Sequence, residues 1–219
     1  FNMYVLQYAL RSNGAEWFNA DVSEAINVDS AATRKTFEQI KSLRTEYGVA
    51  PDPTAVGMET THSPTQMFLT GQVATLVLGS YALQEISQSN INYGVGLLPK
   101  FDGDNVMIAS ADLKAIWVDT PHQEAALKLL AFMSSETEFG VPIYKTGLWM
   151  PNRLSMYEEE NQALWFDRTI YPEGFENLLE MFKNANGRWV DKFTNTDAIY
   201  DAVGEQIEAY YYLDSSLDE

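Results

Sequence analysis

Residues 78–99 read LGSYALQEISQSNINYGVGLLP. They continue a nearly unbroken apolar run, Val73 to Leu78, of the kind expected for a strand covered on both faces. The run stops at a small-small-aromatic triplet, Gly79-Ser80-Tyr81. A strand ending this way presents a ring at a sheet edge, where a flat ligand can lie on it. Tyr81 to Ser87 then reads as a helical turn, and Tyr93 to Leu98 as a second strand closed by Pro99.

Upstream, residues 1–12 read as a helix closed by Ser12-Asn13-Gly14, with Gly14 suited to the left-handed C-cap. The opening FNMYVLQYAL lacks a basic leader and starts in mid-pattern, so it is expected to be the inside of a helix in a longer protein. Ala25 to Val28 reads as a short strand, and Asp29 or Ser30 as the cap of a long helix. That helix carries Phe37, Ile40, Leu43 and Tyr47 at helical spacing and ends at Gly48. Residues 51–64 are a loop by composition, followed by a short helix through Met67 to Leu69.

Downstream, Val106 to Ala109 and Leu113 to Val118 read as strands. Pro121 opens a helix running to Ser134, with Ala125, Ala126, Leu129, Leu130 and Phe132 on its expected buried side. Residues 140–153 form a connector rich in Gly and Pro. Helices are expected at about 156–169, 174–185 and 195–212. Helices alternating with short two-sided strands make the class α/β.

Composition sets the outer limits. The chain has 219 residues, 46% hydrophobic, enough for one large domain or two small ones. Fourteen Lys and Arg stand against 31 Asp and Glu, a net charge of −17. That balance argues against nucleic acid or an anionic membrane as the main partner. There is no cysteine, hence no disulfide, thiolate metal site or Cys nucleophile, as is common in exported bacterial proteins. No run of about 18 apolar residues is long enough to span a membrane.

Catalytic inventories also come up short. His62 and His122 lack the spacing of a metal pair, and no G-x-S-x-G, P-loop or G-x-G-x-x-G is present. Asp102-Gly103-Asp104-Asn105 reads as a hairpin turn, since the later Glu of a calcium loop is missing. No catalytic residue, metal or cofactor is therefore expected.

The order of elements resembles the C-terminal half of the extracellular (family 1) solute-binding proteins of ABC sugar importers, the group that includes maltose-binding protein. Asn13-Gly14-Ala15-Glu16 is similar to the family's Asn/Asp-Gly-Gly turn, and Phe68-Leu69-Thr70-Gly71-Gln72-Val73-Ala74 to its Phe-x-x-Gly-Lys-x-Ala-Met. Gly79-Ser80-Tyr81-Ala82 matches Gly-Ser/Pro-Trp-Ala with Tyr in place of Trp. Asn92-Tyr93-Gly94-Val95 with Leu98-Pro99 resembles the strand that crosses between lobes. Glu124-Ala125-Ala126 to Phe132-Met133 resembles Glu-Ala-Ala-x-x-Phe-Leu, and Gly147 to Arg153 the return crossing Thr-Gly-x-x-Pro-x-Arg. The resemblance covers essentially the whole chain.

It implies a periplasmic-binding-protein-like type II two-lobe fold, of which this chain is the C-terminal half. Residues 1–96 would belong to the second lobe, 97–140 to the first, and 141–219 again to the second. The implied function is capture of a carbohydrate, an oligosaccharide in the first instance, between lobes that close by hinge motion and deliver it to ABC permease transmembrane subunits. The implied place is extracytoplasmic: the periplasm, or the cell surface as a lipoprotein. The further partner is the N-terminal half of the same protein, without which the few first-lobe elements lack a core.

The implied ligand contacts are Tyr81 and Ser80, with Tyr4, Asp112, Trp149, Arg153 and Trp189. A pyranose has an apolar C–H face that an aromatic ring covers, and its hydroxyls need polar side chains around the edge. Tyr81 supplies a ring smaller than Trp, so its subsite is expected to differ from the common pattern. Asp112, where relatives have glycine, bonds sugar hydroxyls or occludes the site. Four of them have a competing structural reading: strand-end cover for Tyr81, core packing with Phe1 and Tyr8 for Tyr4, an ordinary ion pair for Arg153, and packing between the last helices for Trp189. The competing functions are a glycoside hydrolase or lyase, which would need two suitably spaced carboxyls, and a binding protein for a peptide, polyamine or metal complex.

Overall fold

The computed structural model describes residues 3–19, 23–52, 63–183, 187–189, 196–213 and 215–217. Phe1, His62 and most of the 51–64 loop lie outside the described residues. The helices are α1 (Met3–Ser12), α2 (Ala31–Thr45), α3 (Pro64–Leu69), α4 (Leu83–Ile86), α5 (Gln123–Met133), α6 (Val141–Tyr144), α7 (Glu159–Gln162), α8 (Phe175–Lys183) and α9 (Thr196–Tyr212). Among the described residues, strands β1 (Met107–Ala109) and β2 (Gly187–Trp189) pair in parallel with Ala109 opposite Trp189.

The chain divides into two compact units. The first comprises Phe1–Pro64, Leu98–Ala109 and Gly187–Glu219; the second comprises Thr65–Leu97 and Ser110–Asn186. The lobe division at 96 and 140 concerns a complete two-lobe protein and is treated below as a proposal.

In the first unit the core forms where α1, α2 and α9 bring together Leu6, Leu10, Ala15, Trp17, Phe37, Ile207 and Tyr211. The helix ends follow from their capping residues. Ser30 caps α2 by accepting from the Thr33 amide, and Gly14 takes the left-handed conformation (φ 76°) that ends α1. Asn13 then donates to Thr36 Oγ1 (2.9 Å) and Gln39 Oε1 (2.7 Å), tying the end of α1 to α2. The Asp102–Asn105 stretch, expected as a hairpin turn, is a bend at Asp102–Gly103 with no strand pairing across it among the described residues; the Gly103 amide donates to Ser12 O at 2.7 Å, and Asp102 pairs with Lys35.

In the second unit the core is a nest of rings. Tyr144, Tyr157, Trp165, Tyr171 and Phe175 are all buried, with Met156, Leu83 and Leu179. Tyr171 lies 4.8 Å from Phe175 and 5.2 Å, edge to face, from Trp165. Each polar tip finds an acceptor: Trp165 Nε1 donates to Met156 O (2.8 Å), Tyr157 Oη to Pro151 O (2.8 Å) and Tyr171 Oη to Tyr144 O. Burial raises the hydroxyl pKa of Tyr144, Tyr157 and Tyr171 well above the ordinary tyrosine value.

Several expectations need correction. Among the described residues, 73–78, 93–98 and 113–118 form no strand, and Ala25 makes only an isolated bridge with Phe18. A strand needs a ladder partner as well as an apolar run. Val95 has one such bond, its amide donating to Glu173 O at 2.9 Å. The expected 156–169 helix is a 3-10 turn (Leu154–Tyr157) followed by the single turn α7. Helix α5 begins two residues after Pro121 and buries none of its side chains, so Leu129 and Phe132 are exposed rather than core. The amphipathic pattern requires a covering layer that the described residues of this unit do not supply.

Candidate functional site

The site residues are best read from the Gly79-Ser80-Tyr81 turn outward. Ser80–Ala82 form a 3-10 turn leading directly into α4, with the Ala82 amide donating to Gly79 O at 3.1 Å. Ala82, Leu83 and Ile86 are buried and anchor the turn. Tyr81 points the other way and is 55% exposed. Its ring folds back over Gly79: a Cβ at that position would sit 2.5 Å from Tyr81 Cε1. Glycine there leaves the space that the ring occupies. Among the described residues Tyr81 has no aromatic, ionic or side-chain hydrogen-bond partner. An exposed, unpartnered ring fixed on a buried turn is a stacking surface.

The 146–153 connector packs against the same turn. Gly147, at φ 77°, brings its α-carbon so close that a Cβ would meet Leu83 Cβ at 3.1 Å, Gln84 N at 3.2 Å and Ile170 Cγ2 at 2.8 Å. Any side chain would be strained in the backbone and crowded against the start of α4. Two residues on, Trp149 is half-buried; Phe139 lies 6.2 Å away at 47°, and Lys114 Nζ sits 4.5 Å over the ring. Arg153 Nε faces Glu136 Oε1 at 3.5 Å; the Glu136 side chain is only 13% exposed. Tyr144 Oη donates to Glu136 Oε2 at 2.7 Å. Burial, then this carboxylate, holds the Tyr144 hydroxyl protonated.

Ser80, Tyr81, Asp112, Trp149 and Arg153 thus share the second unit, with the Tyr81 turn and the Trp149 connector joined through Gly147. Ser80 and Asp112 are exposed. Tyr4 and Trp189 belong to the first unit. Tyr4 is exposed on α1 whereas Tyr8, one turn later, is buried against Phe101. Trp189 ends β2, and its side chain lies outside the described residues. Sequence reasoning missed Lys114, Phe139 and Glu136. Nothing local pointed to Phe139 or Glu136.

Among the described residues no cluster of His, Cys, Asp or Glu has metal-holding geometry, and no helix is long and apolar enough to cross a membrane. The site offers a ring, hydroxyl and carboxylate groups and two cations. Groups of these kinds can stack on an apolar ligand face and hydrogen-bond to polar ligand groups.

Comparison with known proteins fits this picture. Residues 1–138 match the model of the bacterial extracellular solute-binding protein family. The sn-glycerol-3-phosphate-binding periplasmic protein UgpB of Rhizobium meliloti is 27% identical over 150 residues, covering 66% of this chain and 34% of that protein. Its counterparts in Agrobacterium fabrum and Brucella abortus are 25% and 26% identical over the same length and coverage. The structure of the ABC substrate-binding protein Lmo0181 from Listeria monocytogenes in complex with cycloalternan superposes with a TM-score of 0.76 at 18% identity. That likeness covers 98% of this chain and 52% of Lmo0181, so the fold is the expected α/β binding-protein fold in part. The chain spans about a third of the curated relatives and half of the structural neighbour. This chain belongs to the bacterial extracellular solute-binding protein family, and its place is outside the cytoplasm.

Proposed function

We propose that the protein containing this chain is the solute-binding component of an ABC importer, and that it captures a carbohydrate without chemically changing it. The observation that carries the reading is Tyr81: an exposed ring, seated on a buried turn, in a chain of the solute-binding family. Ser80, Asp112, Trp149 and Arg153 would serve the hydroxyls and ring edge. The chain would cross between lobes near 97 and 140, with 1–96 and 141–219 in one lobe and 97–140 in the other. The closed form would be read by the permease.

The N-terminal half of the protein would cover residues 113–132. Leu113 is 85% and Trp117 71% exposed, and Leu127, Leu129 and Phe132 are exposed on α5. Apolar surface of this extent is not left to water in a stable domain. The likeness to Lmo0181, of which 48% is unmatched, leaves ample polypeptide to cover it.

A second reading has its own support. The UgpB relatives are named for sn-glycerol 3-phosphate, a polyol phosphate. The test is calorimetry on the full-length protein with neutral oligosaccharides and with sn-glycerol 3-phosphate, followed by product analysis of each mixture. Stoichiometric binding of an oligosaccharide with no product is the expected result. Binding of glycerol phosphate alone would replace the carbohydrate with the second reading, and release of shorter sugars would overturn the non-catalytic one.

A further inference from the structure

We infer that Glu136 is a positioning residue for the solute site: it holds Arg153 by its Nε and so fixes the direction in which the terminal N–H groups of that side chain point. The role rests on the reading of Arg153 and Trp149 as solute contacts.

Residues Glu136–Gly140 form a π turn between α5 and α6, capped by Ser135, whose side chain accepts from the Glu138 amide at 3.1 Å. Such wide turns are rare and concentrate at functional sites. This one touches the 146–153 connector at two points. Phe139 lies 6.2 Å from the Trp149 ring, and Glu136 Oε1 faces Arg153 Nε at 3.5 Å. The other carboxylate oxygen, Oε2, accepts from Tyr144 Oη at 2.7 Å. Tyr144 is buried, and its own carbonyl accepts from Tyr171 Oη. Glycine closes the π turn at 140, where a Cβ would sit 2.7 Å from Tyr144 Oη and push the hydroxyl off the carboxylate.

An ion pair between two mobile surface side chains is worth little. This pair is unequal. The Glu136 side chain is 13% exposed and fixed from behind by Tyr144, whereas that of Arg153 is 65% exposed. The anchored carboxylate therefore orients the guanidinium, not the reverse. The terminal N–H groups of Arg153 make no hydrogen bond or ion pair among the described residues. A guanidinium held at Nε presents those groups as a planar fork, with fewer rotamers left to lose on binding. Such a fork matches two neighbouring solute oxygens, those of a vicinal diol included. Both oxygens of Glu136 are already engaged, so it acts through Arg153 and not by touching the solute.

A double-mutant cycle on the full-length protein tests this, read by calorimetry with whichever of maltose, maltotriose and sn-glycerol 3-phosphate binds tightest. Urea unfolding checks that each variant is folded. Arg153→Ala should weaken binding about 10-fold and Glu136→Gln about 3-fold. In the Arg153→Ala background, Glu136→Gln should change affinity by less than about 1.5-fold, because its effect passes through the arginine. A merely structural role would weaken binding by the same factor in both backgrounds. Arg153→Lys should bind about as weakly as Arg153→Ala, since an ammonium lacks the fork that one nitrogen can hold and two can extend. Tyr144→Phe keeps the ring in the nest and should weaken binding in the same Arg153-dependent way. Equal loss from Glu136→Gln in both backgrounds, or none in the parent, overturns the inference and leaves Arg153 a solute contact. Full affinity in Arg153→Ala overturns it together with that contact, while the Tyr81 seat stands. If none of the three solutes binds, the solute reading falls as well.

Discussion

The second unit holds two aromatic regions of opposite character. Around Trp165 the rings of Tyr144, Tyr157, Tyr171 and Phe175 interlock, and each polar tip is bonded to a carbonyl or carboxylate. At Tyr81, and again along residues 113–132, side chains of the same chemical kind face water. The hydrophobic effect accounts for the first region and leaves the second unexplained by the folded unit itself. On the proposed reading the difference teaches that the exposed rings await something that arrives: a solute at Tyr81, and polypeptide at 113–132.

The comparison breaks most visibly in the nest. Trp165→Ala should cost about 3–5 kcal/mol, because the surrounding rings cannot collapse into the space. Urea unfolding of the full-length protein measures it, and a loss below about 1 kcal/mol would mean the nest is not the core of this unit. Next in size is the contrast in amide exchange. Residues 113–118 should exchange nearly without protection in the isolated 1–219 chain, having no ladder partners among the described residues, and become protected in the full-length protein. Equal rates in both would remove the proposed cover.

The buried hydroxyls give a smaller, pH-dependent effect. The folded-state pKa values of Tyr157, Tyr171 and Tyr144 are raised, chiefly by burial. In the unfolded chain these groups ionise near pH 10. Their stabilising share is thus complete below about pH 10 and is lost as pH rises above it, since only the unfolded state then releases protons. The urea midpoint should fall from about pH 10 upward, following phenolate absorbance of the unfolded protein. Smaller still is Gly79→Ala. The atom it crowds belongs to the Tyr81 ring, not to backbone. The ring swings aside, stability should change by less than about 0.5 kcal/mol, and solute affinity should drop.

The sequence made the helix ends legible because their causes are local: the Ser30 hydroxyl and the Gly14 backbone act within a few residues. It also showed that Gly79-Ser80-Tyr81 forms a turn rather than a strand continuation. It misread Val73 to Leu78, Tyr93 to Leu98 and Leu113 to Val118, because an apolar run reports the wish to be covered and says nothing of what covers it. The same limit explains α5, whose heptad-like face is plain in Ala126, Leu129 and Phe132 yet has no cover among the described residues. Trp149 was expected as a ligand contact, but its neighbours Lys114 and Phe139 share no helical or strand period with it and left no trace in the pattern.

The seat itself is tested most directly by pairing stability with affinity at one position. In the full-length protein, Tyr81→Ala should leave the urea midpoint within error, since the ring supports nothing, and weaken solute binding by about 10-fold or more. Tyr81→Trp, restoring a flat ring, should keep affinity within about 3-fold. An unchanged affinity in Tyr81→Ala, or a collapse of its stability, would contradict the account.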